Sequence, residues 1–269
     1  MQLKKRPRGF TLVELAVVLA IIGLLLSSLI YALSAQQEQR AREQTQRSLE
    51  QAREALLGFA VANGRLPCPA SSGSSGVENP GGGGDCTNYY DGFLPAVTLG
   101  FQPVDSDGFA LDAWNNRIRY AVARNLNAGT CAGTSTVPHF TVKATLKQNG
   151  MSCQPASTEL LICKSSQSAP APVAGNCGPV ANFLTTAAPS GTVVAIIFSP
   201  GKNYATAATA ALASAAGKLD EAANLDGNTV FISHTPAPSG ATGGEFDDIM
   251  VWIPVGVLYG RLASAGVLP

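Results

Sequence analysis

From Phe10 to Leu33 the chain runs 24 residues with one charged side chain, Glu14. As a helix rising ~1.5 Å per residue this stretch is ~36 Å long, enough to cross a ~30 Å hydrocarbon core with some tilt. No other feature constrains the fold so strongly, because a helix that is apolar all round must be buried on every side, in a membrane or among other apolar surfaces. Lys4, Lys5, Arg6 and Arg8 precede it. Basic flanks stay cytoplasmic, so the rest of the chain is expected on the outer side. A secretory signal would have a shorter apolar core followed by a small-residue cleavage site. Here the run is too long, and the expected cut lies ahead of it, at Gly9.

The stretch KKRPRGFTLVELAVVLAIIGLLL resembles the N-terminus of type IV prepilins and type II secretion pseudopilins. Gly9, Phe10, the run Thr11-Leu12-Val13-Glu14 and Gly23 carry the resemblance, which covers about 25 residues. It implies that a prepilin peptidase cuts after Gly9 and methylates the new N-terminal Phe10. Ionisable groups in membrane segments are usually functional and paired. Cleavage creates a positive amine at Phe10, and the resemblance makes Glu14 its counter-charge as the helix joins neighbouring subunits. The implied partners are the peptidase, other pilin or pseudopilin subunits met through the N-terminal helix, and an inner-membrane assembly platform. The implied localisation is the bacterial inner membrane, single-pass with a periplasmic head, and then a filament.

Residues 34–62 continue as helix: they contain no proline and are rich in Ala, Gln, Glu, Arg and Leu. Ala41, Thr45, Ser48, Leu49, Ala52, Leu56 and Phe59 fall at helical spacing and form a stripe that strengthens from Leu49 onward, where docking on a globular head is expected. Asn63-Gly64 is a stop signal, with Pro67 following. The organisation expected is a leader over 1–9, a transmembrane and filament-core helix over 10–33, its periplasmic half over 34–64, and a head over 65–269.

Six cysteines, Cys68, Cys86, Cys131, Cys153, Cys163 and Cys177, all follow the apolar run. An even count in an exported domain points to disulfides. The six allow 15 pairings and the sequence selects none; short loop-closing pairs, Cys68–Cys86, Cys131–Cys153 and Cys163–Cys177, are the expectation. The Gly/Ser-rich segment between Cys68 and Cys86 is expected to be flexible. Its glycines, Gly81 to Gly84, lack the context of a phosphate loop.

Strands are expected over 117–123, 140–146, 160–163, 192–198, 229–232 and 249–253, the 192–198 run being apolar enough for a central strand. Helices are expected over 204–216, capped by Asn203 and stopped by Gly217, and over 255–265, with Val255, Leu258, Tyr259 and Leu262 on one face. A long helix, then loops, then mainly antiparallel strands gives an α+β fold: pilin-like, with the N-terminal helix laid on the sheet and long loops stapled by disulfides.

Two acidic segments invite a metal reading. Asp105, Asp107 and Asp112 lie in DSDGFALDAWNNRIRYAV, where DxDG is half an EF-hand loop without its later glutamate. An Asx-turn loop leading into a strand, with Trp114 and Tyr120 in the core, is the favoured reading. Asp112-Ala113-Trp114-Asn115-Asn116 with Tyr120 also resembles the D-P-W-G-N…Y segment of major pseudopilins, from which Ala113 and Asn115 depart. The second segment holds Glu245, Asp247 and Asp248 in a Gly-rich loop, where oxygen ligands suit calcium. Major pseudopilins carry calcium in a late acidic loop before a Trp, and Trp252 is similarly placed, in a different register.

His139 and His234, the two histidines, sit in no catalytic motif, and Ser199 follows a strand without a nucleophile elbow. Nothing in the sequence argues for an enzyme. Four of the 18 basic residues precede Phe10, leaving 14 against 18 acidic ones, with no basic patch for nucleic acid. The function expected is a structural subunit of a type II secretion pseudopilus, a minor one because a bulky head packs poorly in a uniform filament. A minor type IV pilin for adhesion or DNA uptake is the alternative; Arg117, Arg119, Arg124, Lys143 and Lys147 are available for DNA but not clustered in sequence.

Overall fold

The computed structural model describes residues 9, 11–125, 137–156, 158–185, 193–206 and 208–268, with the backbone alone at 25–34 and 206. Helix α1 spans Leu12–Asn63, 52 residues without a proline. Gly64 ends it with φ of 70°, and its N–H bonds back to the Ala60 carbonyl at 2.8 Å. A left-handed residue after the last turn is the stop that Asn63-Gly64 predicts. The chain forms two compact units that divide within α1, 1–43 and 44–269. The second unit takes in the last five turns of the helix because their apolar face belongs to its core. Thr45, Leu49, Ala52, Leu56, Leu57 and Ala60 are buried there, close to the stripe read from the sequence.

In chain order the head adds β1 (Gly92–Phe93), α2 (Ala96–Leu99), β2 (Arg119–Val122), α3 (Lys143–Asn149), β3 (Leu161–Cys163), β4 (Val193–Ser199), α4 (Ala210–Ala215), α5 (Leu219–Asn224), β5 (Val230–Ile232), β6 (Ile249–Pro254) and α6 (Val255–Ser264). Four strands make an antiparallel sheet in the order β1-β2-β4-β6. Tyr120 opposes Ile197, and Ile197 opposes Val251. Strand β4 is central, and all seven of its residues are buried, as a continuous apolar run demands. Helix α6 buries the four residues expected of it, Val255, Leu258, Tyr259 and Leu262. These side chains join the C-terminal half of α1 and the sheet in one core. The result is an α+β architecture with the N-terminal helix packed on an antiparallel sheet, consistent with a pilin-like fold.

A smaller lobe has its own core. Strands β3 and β5 pair in parallel, and Leu161, Cys163, Cys177, Val230, Ile232 and Phe246 pack together. Asn224, at the end of α5, donates to the Ile232 carbonyl at 2.9 Å and accepts from the Ile232 N–H at 2.6 Å. Its amide thus does for one residue what another strand would do at the edge of β5. Disulfides join Cys68 to Cys86 and Cys163 to Cys177. Cys131, the expected partner of Cys153, lies outside the described residues; no described cysteine is free.

Several expectations are corrected. Residues 140–146 lie not in a strand but in a turn and the start of α3. Thr145, Leu146 and Asn149 are buried at helical spacing, and the Thr145 hydroxyl donates to the Pro138 and Val142 carbonyls at 2.8 and 3.0 Å. The expected helix over 204–216 is broken. Lys202–Thr206 is a short 3₁₀ turn, and α4 starts afresh at the Thr209 cap, whose oxygen accepts from Leu212 N–H at 3.3 Å. Asn203, the expected cap, donates its amide to Glu221 instead, at 2.8 Å. Trp114 is half-buried, not a core residue.

The Gly/Ser loop, expected to be flexible, is tied down by Glu78. Its carboxylate accepts two bonds from Arg65, at 2.8 and 2.7 Å, and one each from the Cys68 and Gly82 N–H groups, both at 3.1 Å. Gly83 has φ of 80°, and a Cβ there would meet the Thr141 carbonyl oxygen at 2.4 Å. Glycine in this loop permits close packing as well as turning.

Candidate functional site

The N-terminal segment is organised around Thr11 and Glu14. Thr11 sits just ahead of α1. Its N–H and its hydroxyl both donate to Glu14 Oε2 at 2.9 Å, and its hydroxyl oxygen accepts from the Glu14 N–H at 3.3 Å. This is a reciprocal capping box, T-x-x-E, which satisfies two amides that an α-helix start otherwise leaves open. Both bonds to the carboxylate fall on Oε2, leaving Oε1 for another donor. A carboxylate in the first turn is also favoured by the helix dipole. The capping box was legible in the sequence as Thr11-x-x-Glu14, and the pairing argument alone passes over Thr11. Gly9 is exposed; Phe10 lies outside the described residues.

Past the cap, α1 is apolar on all sides. Nine large aliphatic side chains between Leu12 and Leu24 are exposed, Leu12 at 87%. Gly23 has open space where a Cβ would go, so nothing within the described chain requires glycine there. Among the described residues no helix is long and apolar enough to cross a membrane. The expected span over 10–33 runs into 25–34, beyond the described side chains.

The acidic residues of the head regroup. Glu221, Asp247 and Asp248, all buried, bring one carboxylate oxygen each within 4.8 Å of one another, a set that could hold a metal ion. Glu245, expected in the group, faces Lys218 Nζ at 3.4 Å instead, and Glu221 of α5 takes its place. No local spacing signals this, since Glu221 and Asp247 meet only through the fold. Hydrogen bonds already hold the group. Asp248 accepts from the Asn224 amide at 2.7 Å. Glu221 accepts from the Asn203 amide at 2.8 Å and the Asp247 N–H at 3.0 Å. Burial, then the Glu221 charge, pushes the Asp248 carboxyl well above its ordinary range. Burial likewise pushes Glu221 up to about 7. Protons thus relieve part of the repulsion among three close carboxyls.

Asp105, Asp107 and Asp112 serve turns. Arg117 pairs with Asp105 at 2.7 Å and with Asp107 at 2.6 Å, filling the place a cation would take. Asp105 Oδ1 accepts from the N–H groups of Asp107 and Phe109 at 3.0 and 2.8 Å. Asp112 accepts from Trp114 and Asn116 N–H, each at 2.8 Å, and from the Ser199 hydroxyl at 2.6 Å. The Asx-turn reading of this segment matches these bonds.

His139, His234 and Ser199 keep separate partners: Tyr259, Asp220 and Asp112 respectively. Of the basic residues considered for DNA, Arg117, Arg119 and Arg124 are each paired with an aspartate.

Residues 4–30 match the model of the prokaryotic N-terminal methylation motif. The match takes in the basic residues Lys4 to Arg8, the Gly9–Phe10 step and the start of α1, and leaves the head outside. No curated protein and no solved structure matches the chain. The chain thus carries, in residues 4–30, the signature of type IV prepilin-like proteins.

Proposed function

We propose that this protein is a structural subunit of a type II secretion pseudopilus, a minor pseudopilin. In this reading residues 1–9 are a leader, removed after Gly9 by prepilin peptidase, and Phe10 is the methylated first residue of the mature protein. Residues 10–33 anchor it in the inner membrane and later line the filament core, while the head over 65–269 faces the periplasm. The observation that carries the reading is the coincidence of the methylation motif with a capped helix whose large aliphatic side chains from Leu12 to Ile22 are exposed. Glu14 supports it further, because Oε1 is left to receive the Phe10 amine of the same or a neighbouring subunit.

Mass spectrometry of the mature protein tests the processing step: the first residue is methylated Phe10. An intact Met1 start, or a cut beyond Tyr31, sinks the assignment. Glu14→Ala is expected to be processed normally yet to enter filaments at a small fraction of the wild-type level. Deleting the gene separates the two systems: lost secretion of folded exoproteins marks a pseudopilin, whereas lost adhesion or DNA uptake with secretion intact marks the minor type IV pilin.

A further inference from the structure

A cleft of about 400 Å³ lies where the Cys68–Cys86 loop meets β1 and β2, a size within the range of small-ligand sites. Among the described residues lining it, Phe93 alone is apolar; the others carry hydroxyls, an amide, a carboxylate and a guanidinium. Arg119 is 8% exposed. It donates from Nη1 to Asp91 and from Nη2 to the Tyr204 hydroxyl, the latter at 3.0 Å. Its guanidinium carbon stands 4.7 Å from the centre of the Phe93 ring. Nε has no hydrogen-bond partner among the described residues. A guanidinium has five N–H donors, so Arg119 keeps donors unspent at the wall of this cleft, although buried polar groups are normally bonded.

The chain itself fixes the frame around the cleft. Ala70 and Phe93 exchange both backbone bonds at 2.9 Å. The Asn79 amide donates to the Ser71 hydroxyl at 2.9 Å, and the Asn79 carbonyl accepts from the Thr87 N–H at 3.2 Å. Asn88 Oδ1 accepts from the Asp91 N–H at 3.1 Å. The hydroxyls of Ser72 and Thr87, both exposed, take no hydrogen bond from the described chain. The Asp91 side chain is 44% exposed and gives Oδ1 to Arg119. A rim set in advance, with donors and acceptors still open, loses little order when a ligand arrives.

We propose that this cleft binds a neutral, polyhydroxylated ligand, a saccharide. Charge decides the class. Asp91 matches the Arg119 guanidinium, and the Asp226–Gly227 turn abuts the same aspartate, since a Cβ on Gly227 would fall 3.5 Å from Asp91 Cβ. The rim therefore carries no net positive charge to draw a phosphate or a carboxylate. One aromatic ring is too little for an apolar ligand, whose sites are lined mainly by apolar side chains. Sugar hydroxyls both donate and accept, and so does this rim. Asp91 and the hydroxyls of Ser72 and Thr87 accept, the Asn88 amide and Arg119 donate, and Phe93 offers an apolar wall to ring C–H groups. Such a site gives the head a ligand whichever filament carries it.

The test uses the full chain in lauryldimethylamine oxide, a detergent without a sugar headgroup, and the methyl glycosides of glucose, galactose, mannose and N-acetylglucosamine. Saturation-transfer NMR reads contact, and titration calorimetry gives the Kd. At least one glycoside is expected to bind at about 1 mM or tighter and to receive saturation at its ring protons. Ser72→Ala combined with Thr87→Val removes two hydroxyls that hold nothing in the described chain, so the fold stays intact while binding weakens about tenfold. Asp91→Asn, which exchanges an acceptor for a donor, weakens it by about tenfold or more; if that variant does not fold, the hydroxyl variant decides alone. No transfer to any glycoside, an unchanged Kd in the hydroxyl variant, or binding of succinate in place of the glycosides overturns the proposal.

Discussion

His139 and His234 show how far one residue type is set by its surroundings. His139 is fully buried, with Nε2 3.0 Å from the Tyr259 hydroxyl. That hydroxyl donates to the Cys153 carbonyl, so Nε2 must be the donor, and Nδ1 is left bare with no hydrogen-bond partner among the described residues. Burial pushes the His139 pKa down to about 4. For a base depressed in the folded state, the unfolded chain takes up the proton first as pH falls. Its stability contribution is therefore complete above the unfolded value near 6.5 and lost as pH drops through about 4. The loss is on the order of 3 kcal/mol, read as a fall in the urea midpoint between pH 7 and pH 4. His139→Leu should lose less over the same interval, which separates this histidine from titrating carboxylates. Neither histidine's role was legible in the sequence, because each depends on partners far away in the chain, Tyr259 for one and Asp220 for the other. Glu78 is a similar case. Its ion pair with Arg65 is nearly buried on both sides. Glu78→Ala strands the guanidinium and also frees the Cys68 and Gly82 amides, so a loss of about 3–5 kcal/mol is expected in chemical denaturation.

At the scale of elements, periodicity succeeded where a long or fully apolar signal left one solution. Helix α1, central β4 and amphipathic α6 all follow from pattern. It failed where short segments suited two periods or where side chains competed with the backbone. FTVKATL has large apolar residues chiefly at its ends, so seven residues of alternation did not distinguish a strand from the start of α3. In YATAATAALASAA the low-polarity composition suggested one helix, but Thr209 offers its own oxygen as a cap and restarts it. The acidic group was half legible: Asp247 and Asp248 stood together in the sequence, whereas Glu221 reaches them only through α5. The docking face of α1 gives a sharper expectation. Leu56 is fully buried among sheet and α6 side chains, so Leu56→Ala should cost about 2–5 kcal/mol as transfer and cavity terms combine. Ala62, exposed near the end of the same helix, is the control: Ala62→Ser should shift the denaturation midpoint little.

For the whole molecule, the sequence spoke most clearly about the N-terminal methylation motif and least about what the head touches, and the physics explains why. A methylation motif and an apolar run are local, written in consecutive residues. The head depends on loops whose shape comes from distant bonds and disulfides. It also has two cores of unequal size, the larger built on α1, the sheet and α6, the smaller on β3, β5 and Phe246. The smaller one is closed by Cys163–Cys177, 14 residues apart. Removing a link of that length restores about 3 kcal/mol of chain entropy to the unfolded state. A two-strand parallel pair has little else to spend against that loss, since short isolated pairings are marginal in water. Cys163→Ser with Cys177→Ser should therefore unfold the small lobe ahead of the large one. In hydrogen exchange the amides of β3 and β5 would lose most of their protection, while those of β2, β4 and β6 keep theirs. Equal loss in both sheets would mean that the two cores fold as one cooperative unit, and that the acidic group and α5 between them transmit more stability than their separate packing implies.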